Sequence, residues 1–240
     1  MWGHNTQPPM PTPDRHESCV LCPRFFRFFV LRFRTTGRTV GPVAKGSETR
    51  DRILDTAFRL AAREGLDGLS LAALAGKLGL SKSGLFAHFD SKEELQLEML
   101  RVASERFVDK VMRPAFKHPR GLPRVRALFE NWRRWATDPS LPGGCVFVAA
   151  AAELDDRDGP VRAYVVSQQR GLLQAIARAA KLAVEVGHFR RDLDVEQFAF
   201  EFLAIYLAFH HAQRLLRDPR AEQRARRAYM RLVDDAAVRH

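Results

Sequence analysis

Cysteine is scarce in this chain, and no apolar run is long. Three cysteines in 240 residues, Cys19, Cys22 and Cys145, argue against a disulfide-stapled secreted protein and leave a reducing cytoplasm as the default compartment. Cys19-Val-Leu-Cys22 has the spacing of half a zinc site or a redox pair, but no second CxxC or paired histidine stands at a matching distance. It reads as an incidental pair in a loose tail. Cys145, within GGCVFVAAAAEL, reads as a small buried residue. No stretch offers the about 20 apolar residues that a spanning helix needs, so no membrane partner is expected. Alternating apolar and polar positions of useful length are missing, which argues against a sheet protein. There is no internal repeat. Nor is there a convergent nucleophile, base or metal-ligand cluster, so no catalytic residue, metal or cofactor is expected. Glu153, Asp155, Asp156 and Asp158 form an acidic patch that reads as solvated or loop-capping. His210 and His211 are neighbours on a helix and point about 100° apart, which rules against a shared metal.

Positive charge is what the chain has in excess. The formal charge is +11 with a pI near 10.3, which favours a polyanionic partner. Its distribution is uneven: residues 1–46 contribute +5, residues 47–92 only +1, and the remaining 148 another +5. Residues 1–46 differ from the rest and read as a disordered N-terminal extension, rich in Pro, Thr and His over 1–23. The run Arg24-Phe-Phe-Arg-Phe-Phe-Val-Leu-Arg-Phe-Arg34 is too short and too interrupted by arginine to span a bilayer, and it lacks the core and cleavage site of a signal peptide. A basic arm on DNA phosphates and a weak membrane-surface anchor are two readings of it. The preferred one is a start-site artefact, with the natural start near Val43 if its codon is GTG. Intact mass of the protein made from its native gene tests that, and a full-length species refutes it.

From Ser47 onward the pattern is helical, and residues 71–90, LAALAGKLGLSKSGLFAHFD, are the most informative stretch. Ala75, Gly79 and Leu85 stand at the spacing of a helix-turn-helix. The small residue lets two helices cross closely, the glycine supplies a positive φ at the turn, and the leucine closes the small core. Helix one is expected over about 48–64, ended by Gly65 as a left-handed cap. Ser70 is the expected N-cap of a helix over 71–78, and Ser81 of a recognition helix over 82–88. Ser91 with Glu94 makes a capping box opening a long fourth helix. Pro114 and His118-Pro-Arg-Gly-Leu-Pro123 break the pattern and mark a boundary.

The expected class is therefore all-α: a three-helix N-terminal helix-turn-helix domain over 47–107, its motif at about 70–89, then a larger helical ligand-binding and dimerisation domain over 108–240. In the latter, helices are expected at 124–137, 145–154, 159–186, 194–217 and 219–237. The helix over 194–217 is apolar on nearly every side, with Val195, Phe198, Ala199, Phe202, Leu203, Tyr206, Phe209 and His210 on one stripe and Phe200, Ala204, Leu207, Ala208 and Leu215 opposite. Such a helix needs cover on two faces, and a two-fold copy supplies the second.

KLGLSKSGLFAHFDSKEEL following three short helices resembles the TetR family of one-component transcriptional regulators. The match is specific over about 47–107, and GGCVFVAAAAELDDRDGPVR resembles a segment seen in many members. Residues 1–46 have no counterpart. The resemblance implies a repressor that binds a palindromic operator in double-stranded DNA as a homodimer, is released by a small-molecule effector, and works in the cytoplasm, nucleoid-associated when DNA-bound. It assigns DNA contacts to Ser81, Lys82 and Ser83 at the start of the recognition helix, with Gly84 allowing close approach. Phe86 stands where the family commonly has tyrosine, so a phosphate hydrogen bond gives way to contact with a thymine methyl. His88 matches the family's HF histidine and Lys92 its phosphate-binding lysine. Thr49, Arg50 and the capping Ser70 complete the DNA-side set. The effector pocket is expected among Trp132, Trp135, Phe147, Tyr164, Gln168, Phe198 and Phe202, and the dimer interface at Tyr206, Phe209, His210, Gln213, Tyr229, Leu232 and Val233. The competing reading is a helical protein-interaction module that has lost DNA binding.

Overall fold

The structure, a computed structural model, describes residues 45–141 and 143–238. The expectations for the tail, the Cys19–Cys22 pair, the Arg24–Arg34 run and a start at Val43 lie outside those residues. The described residues are helical apart from short connections and a single bridge pairing Phe189 with Ala237.

Helix α1 (Lys45–Glu64) starts three residues before its expected first residue and two inside the segment read as disordered, with Glu48 in its first turn complementing the helix dipole. Its apolar stripe buries Ile53, Ala57, Phe58 and Ala61 completely or nearly so; the burial of Phe58 alone contributes about 1.5–3 kcal/mol. Gly65 at φ 79° then ends the helix in the left-handed region. Helices α2 (Leu71–Leu78) and α3 (Lys82–Phe86) pack against each other. Helix α4 begins at Lys92 and packs back on α1, burying Leu95, Met99, Leu100 and Ala103.

Pro114 does not end α4, contrary to expectation. After Lys92–Phe107 the chain passes through a π-helical turn, Val108–Met112, into another α-helical turn, Arg113–Phe116. In an α-helix a proline leaves one carbonyl unbonded and clashes with it. Here the bonding has already widened before the proline, with Arg113 N–H donating to Val108 O five residues back. The helix closes at His118, and Gly121 at φ 94° starts α5 (Leu122–Ala136).

Helix α6 (Val146–Glu153) is short and lies against α1, α4 and α7. Helix α7 (Pro160–Glu185) carries its proline at the first turn, where the missing N–H costs nothing. Helix α8 (Val195–Arg214), capped by Asp194 accepting from Glu196 and Gln197 N–H, packs on both α7 and α9 (Ala221–Ala236). The core of this part is aromatic. Phe129 stacks on Tyr229 with centroids 4.0 Å apart, Trp132 stacks on Tyr206 at 3.9 Å, and Phe202 meets Trp132, Phe129 and Tyr229 at 5.9–6.1 Å.

Candidate nucleic-acid interface and effector chamber

Local bonding builds the helix-turn-helix. Ser70 accepts from Ala73 N–H and Ser81 accepts from Gly84 N–H at 3.0 Å, so each motif helix is capped by its own serine. Between them Gly79 sits at φ 66°, ψ 27° and Leu80 N–H donates back to Ala75 O at 3.0 Å. Ala75 and Leu85 are buried at the crossing, as Leu74 is. Ser91 accepts from Glu94 N–H, while Glu94 reaches back to Asp90 N–H rather than to Ser91, closing the box one residue further out.

On the outer face of α3, Ser81, Lys82, Ser83 and Phe86 are exposed together, Phe86 to 40%. Gly84 and His88 lie half-buried behind them, and Ser70 is exposed at the start of α2. Thr49 is half-buried on α1 and engaged within the chain. Two cations of the expected set turn inward. Arg50 Nη1 donates to His88 O at 2.5 Å, its guanidinium lies 4.4 Å over the Phe89 ring, and Glu98 is 3.6 Å away. It ties α1 to the end of the recognition helix and to α4. Lys92 Nζ donates to Asp67 O at 3.0 Å, leaving two ammonium protons free to point elsewhere.

A second set of contacts, not foreseen in the sequence, joins the motif to the rest of the bundle. Glu153, at the end of α6, accepts from the backbone N–H of both Leu66 and Asp67, at 3.1 and 2.9 Å. Arg157 pairs with Asp67 at 2.6 Å, and each holds the other's charged form: Asp67 is lowered and Arg157 raised by that contact. Gln96 donates to Leu66 O at 2.9 Å. The expected acidic patch thus splits, with Glu153 gripping the α1–α2 loop. A groove of about 760 Å³ runs beside this latch between Gly65, Gly143, Ala149 and Leu215.

The seven expected pocket residues do not form one group. Trp132, Phe198 and Phe202 join one aromatic column, and Trp135 meets it through Phe107 at 5.6 Å. Tyr164 and Gln168 instead face α4, where Ser104 donates to Gln168 Oε1 at 2.7 Å and burial pushes the Tyr164 hydroxyl up to about 12. Phe147 is half-buried on α6, its carbonyl accepting from Gln169.

The expected dimer residues are placed differently. Tyr206, Phe209, Tyr229, Leu232 and Val233 are all buried inside the chain itself, and His210 and Gln213 turn partly inward beside them. The large aromatic stripe of α8 is the one that fits the tryptophans of α5, so the opposite stripe remains outside. Phe200, Ala204, Leu207, Ala208, His211 and Leu215 are exposed there, with Met230 of α9 at 61%. This is the exposed apolar face of α8 and α9.

The model for bacterial regulatory proteins of the tetR family matches residues 53–99, and that for the tetracyclin repressor-like C-terminal domain matches residues 121–229. The chain belongs to the TetR family. Its first matched segment runs from within α1 through α2 and α3 into α4, and the second runs from α5 into α9. The HTH-type transcriptional repressor AcnR of Corynebacterium diphtheriae is 31% identical over 111 residues, which cover 42% of this chain and 58% of that relative. The match therefore spans less than two thirds of that relative's length. Among solved structures, a TetR transcriptional regulator from Chloroflexus aurantiacus is 26% identical with a TM-score of 0.71, covering 79% of this chain and 94% of its own. A regulator from Saccharomonospora viridis, solved in complex with choline, is 25% identical with a TM-score of 0.65 and coverages of 80% and 100%. The TetR family comprises regulators rather than enzymes, and no helix among the described residues is long and apolar enough to cross a membrane.

Proposed function

We propose that this chain is a ligand-responsive transcriptional repressor that binds a palindromic operator as a homodimer and releases it when a small molecule occupies the α5–α8 region. The observation that carries the reading is the exposed group Ser81, Lys82, Ser83 and Phe86 on a capped recognition helix whose approach is fixed by Arg50 and the Glu153 latch. In a major groove Ser81 and Ser83 offer hydroxyls to base edges or phosphates, Lys82 a charge to phosphate, and Phe86 apolar contact to a thymine methyl. Lys92, at the first turn of α4, adds a phosphate contact, and His88 supports the rear of α3. Thr49 and Ser70 complete the DNA-side set.

Two copies are required because the region over 47–92 carries a net charge of only +1, too little for one head to bind tightly through phosphates alone. The exposed face of α8 and α9 pairs the copies, and half-site spacing then supplies specificity. The protein works in the cytoplasm, on the nucleoid when operator-bound, and carries out no reaction. A gel shift against DNA upstream of its own gene tests the proposal. A retarded band at low salt that weakens steeply with added salt is the expected result. Folded, dimeric protein that retards nothing refutes it and favours a helical interaction module.

A further inference from the structure

Leu66 and Asp67, in the loop between α1 and α2, have every polar group held by a side chain from elsewhere in the chain. The peptide unit that joins them is gripped at both edges. Gln96 of α4 donates to Leu66 O at 2.9 Å, and Glu153 of α6 accepts from Asp67 N–H at 2.9 Å. Glu153 also accepts from Leu66 N–H, at 3.1 Å. Arg157 forks the Asp67 carboxylate with bonds of 2.6 and 2.7 Å, a pairing of two planar groups that fixes direction as well as distance. Gly65 leaves room for this arrangement, since a Cβ there would fall on the Glu153 carboxylate. One polar group is left, the Asp67 carbonyl, and it accepts from Lys92 Nζ at 3.0 Å.

That last bond has a use. A lysine ammonium rides on a flexible stem, and a phosphate that captures it must first order the whole side chain. With one N–H already engaged by Asp67 O, the Lys92 ammonium is held in place before DNA arrives, and its other two protons remain to donate. Part of the ordering is then done in advance, which tightens binding without adding a contact. A carbonyl, however, is only as fixed as the peptides on either side of it. With the Leu66–Asp67 peptide gripped from α4 and α6 and the Asp67 side chain forked, little freedom is left to the carbonyl. Without Glu153 the peptide is held at one edge only, and the carbonyl can swing away from the ammonium.

We infer that Glu153 is a positioning residue for DNA binding: through the Leu66–Asp67 peptide it sets the carbonyl that aims the Lys92 ammonium, so the end of α6 governs a phosphate contact made by α4. This rests on the reading of Lys92 as a phosphate contact. The test is a double-mutant cycle on the full-length protein, with Glu153→Gln, Lys92→Ala and both together, titrated with a random-sequence duplex and with DNA upstream of its own gene. Glu153→Gln alone should weaken both duplexes by about three- to tenfold, the range that ordering one long side chain supplies. In the Lys92→Ala background the same change should weaken them by less than about twofold. A merely structural Glu153 would cost the same in both backgrounds, and that result overturns the inference. So does unchanged affinity in Glu153→Gln. Gln96→Met releases the other edge of the same peptide and should repeat the pattern, so the result does not depend on one variant folding. Asp155→Asn should leave binding as it is. Nitrogen-15 relaxation of the Lys92 ammonium in DNA-free protein gives a readout that needs no duplex, and Glu153→Gln should make that group more mobile. If it does so while the unsubstituted protein retards no DNA, the positioning stands and the repressor reading falls; an ammonium equally ordered in both proteins overturns the inference.

Discussion

Replacing Glu153 by glutamine should loosen the motif from the rest of the bundle at one identifiable point. The carboxylate accepts from two adjacent backbone N–H groups, Leu66 at 3.1 Å and Asp67 at 2.9 Å. A hydrogen bond to a charged group contributes about 1.5–3 kcal/mol when well desolvated, and half-buried Glu153 beside an exposed loop belongs at the low end. Glutamine keeps one acceptor oxygen and turns an NH2 toward the other N–H, so one bond goes and the survivor becomes neutral. The expected loss is about 1–2 kcal/mol, which lowers the Tm by roughly 2–8 °C in a domain of this size. Hydrogen exchange supplies the local signature: the amides of Leu66 and Asp67 should lose protection before those of Leu95 or Met99. Asp155→Asn, in the same acidic patch but with no contact to that loop's amides, serves as the control. A Glu153→Gln loss below about 0.5 kcal/mol, the range of ordinary surface substitutions, or equal effects of both changes, would refute the reasoning.

Other expectations follow from the same geometry. Lys92→Ala should weaken operator and random DNA alike and lower the salt slope by about one; an unchanged slope removes Lys92 from the phosphate contacts. Gly143→Ala should cost about 3 kcal/mol or more, because its Cβ would lie 1.4 Å from Ala62 O. Gly79→Ala meets nothing within 4 Å and bears only its left-handed φ of 66°, a cost of about 1–2 kcal/mol; equal midpoints in urea contradict this ranking. His210 has a folded value of about 4, below that of the unfolded chain, so the unfolded state binds the extra proton. Its contribution is therefore complete above about pH 6.5 and is lost as pH falls toward 4. His210→Gln should flatten that part of the stability curve, and an unaltered curve assigns the slope to other groups. Phe200→Glu should yield folded monomer in light scattering, whereas Val233→Glu should unfold the chain; folded monomer from the second would return the interface to the buried stripe.

What the sequence disclosed was mainly local. Ser70, Ser81 and Ser91 cap helices because each needs only an N–H two or three residues ahead, and Gly65 and Gly79 end helices by their own backbone freedom. The choice between the two apolar sides of α8 was not local. Both have helical period, and only the tryptophans of α5 decide that Phe202 and Tyr206 go inside while Phe200 and Leu207 stay out. Arg50 looked like a DNA-facing cation because its partners, the His88 carbonyl and the Phe89 ring, are 38 and 39 positions away. Glu153 meets its amides across 87 residues, and no spacing rule reaches that far.

The π-helical turn at Val108–Met112 sets the phase of α4. Before it, Leu95, Met99, Ala103 and Phe107 face the core; within it Val108, Val111 and Met112 do, and after it Ala115. Each residue of an α-helix advances the face by about 100°, so the widened turn absorbs one residue that a regular helix would register as a rotation. Deleting one residue there would leave a smoother helix with both halves in phase, whereas closing the turn to α-helical bonding at unchanged chain length would turn the motif-bearing half about 100° against the bundle. The irregularity is thus a clutch position, and the heading of the recognition helix depends on the bonding of a turn that lies outside the helix-turn-helix itself.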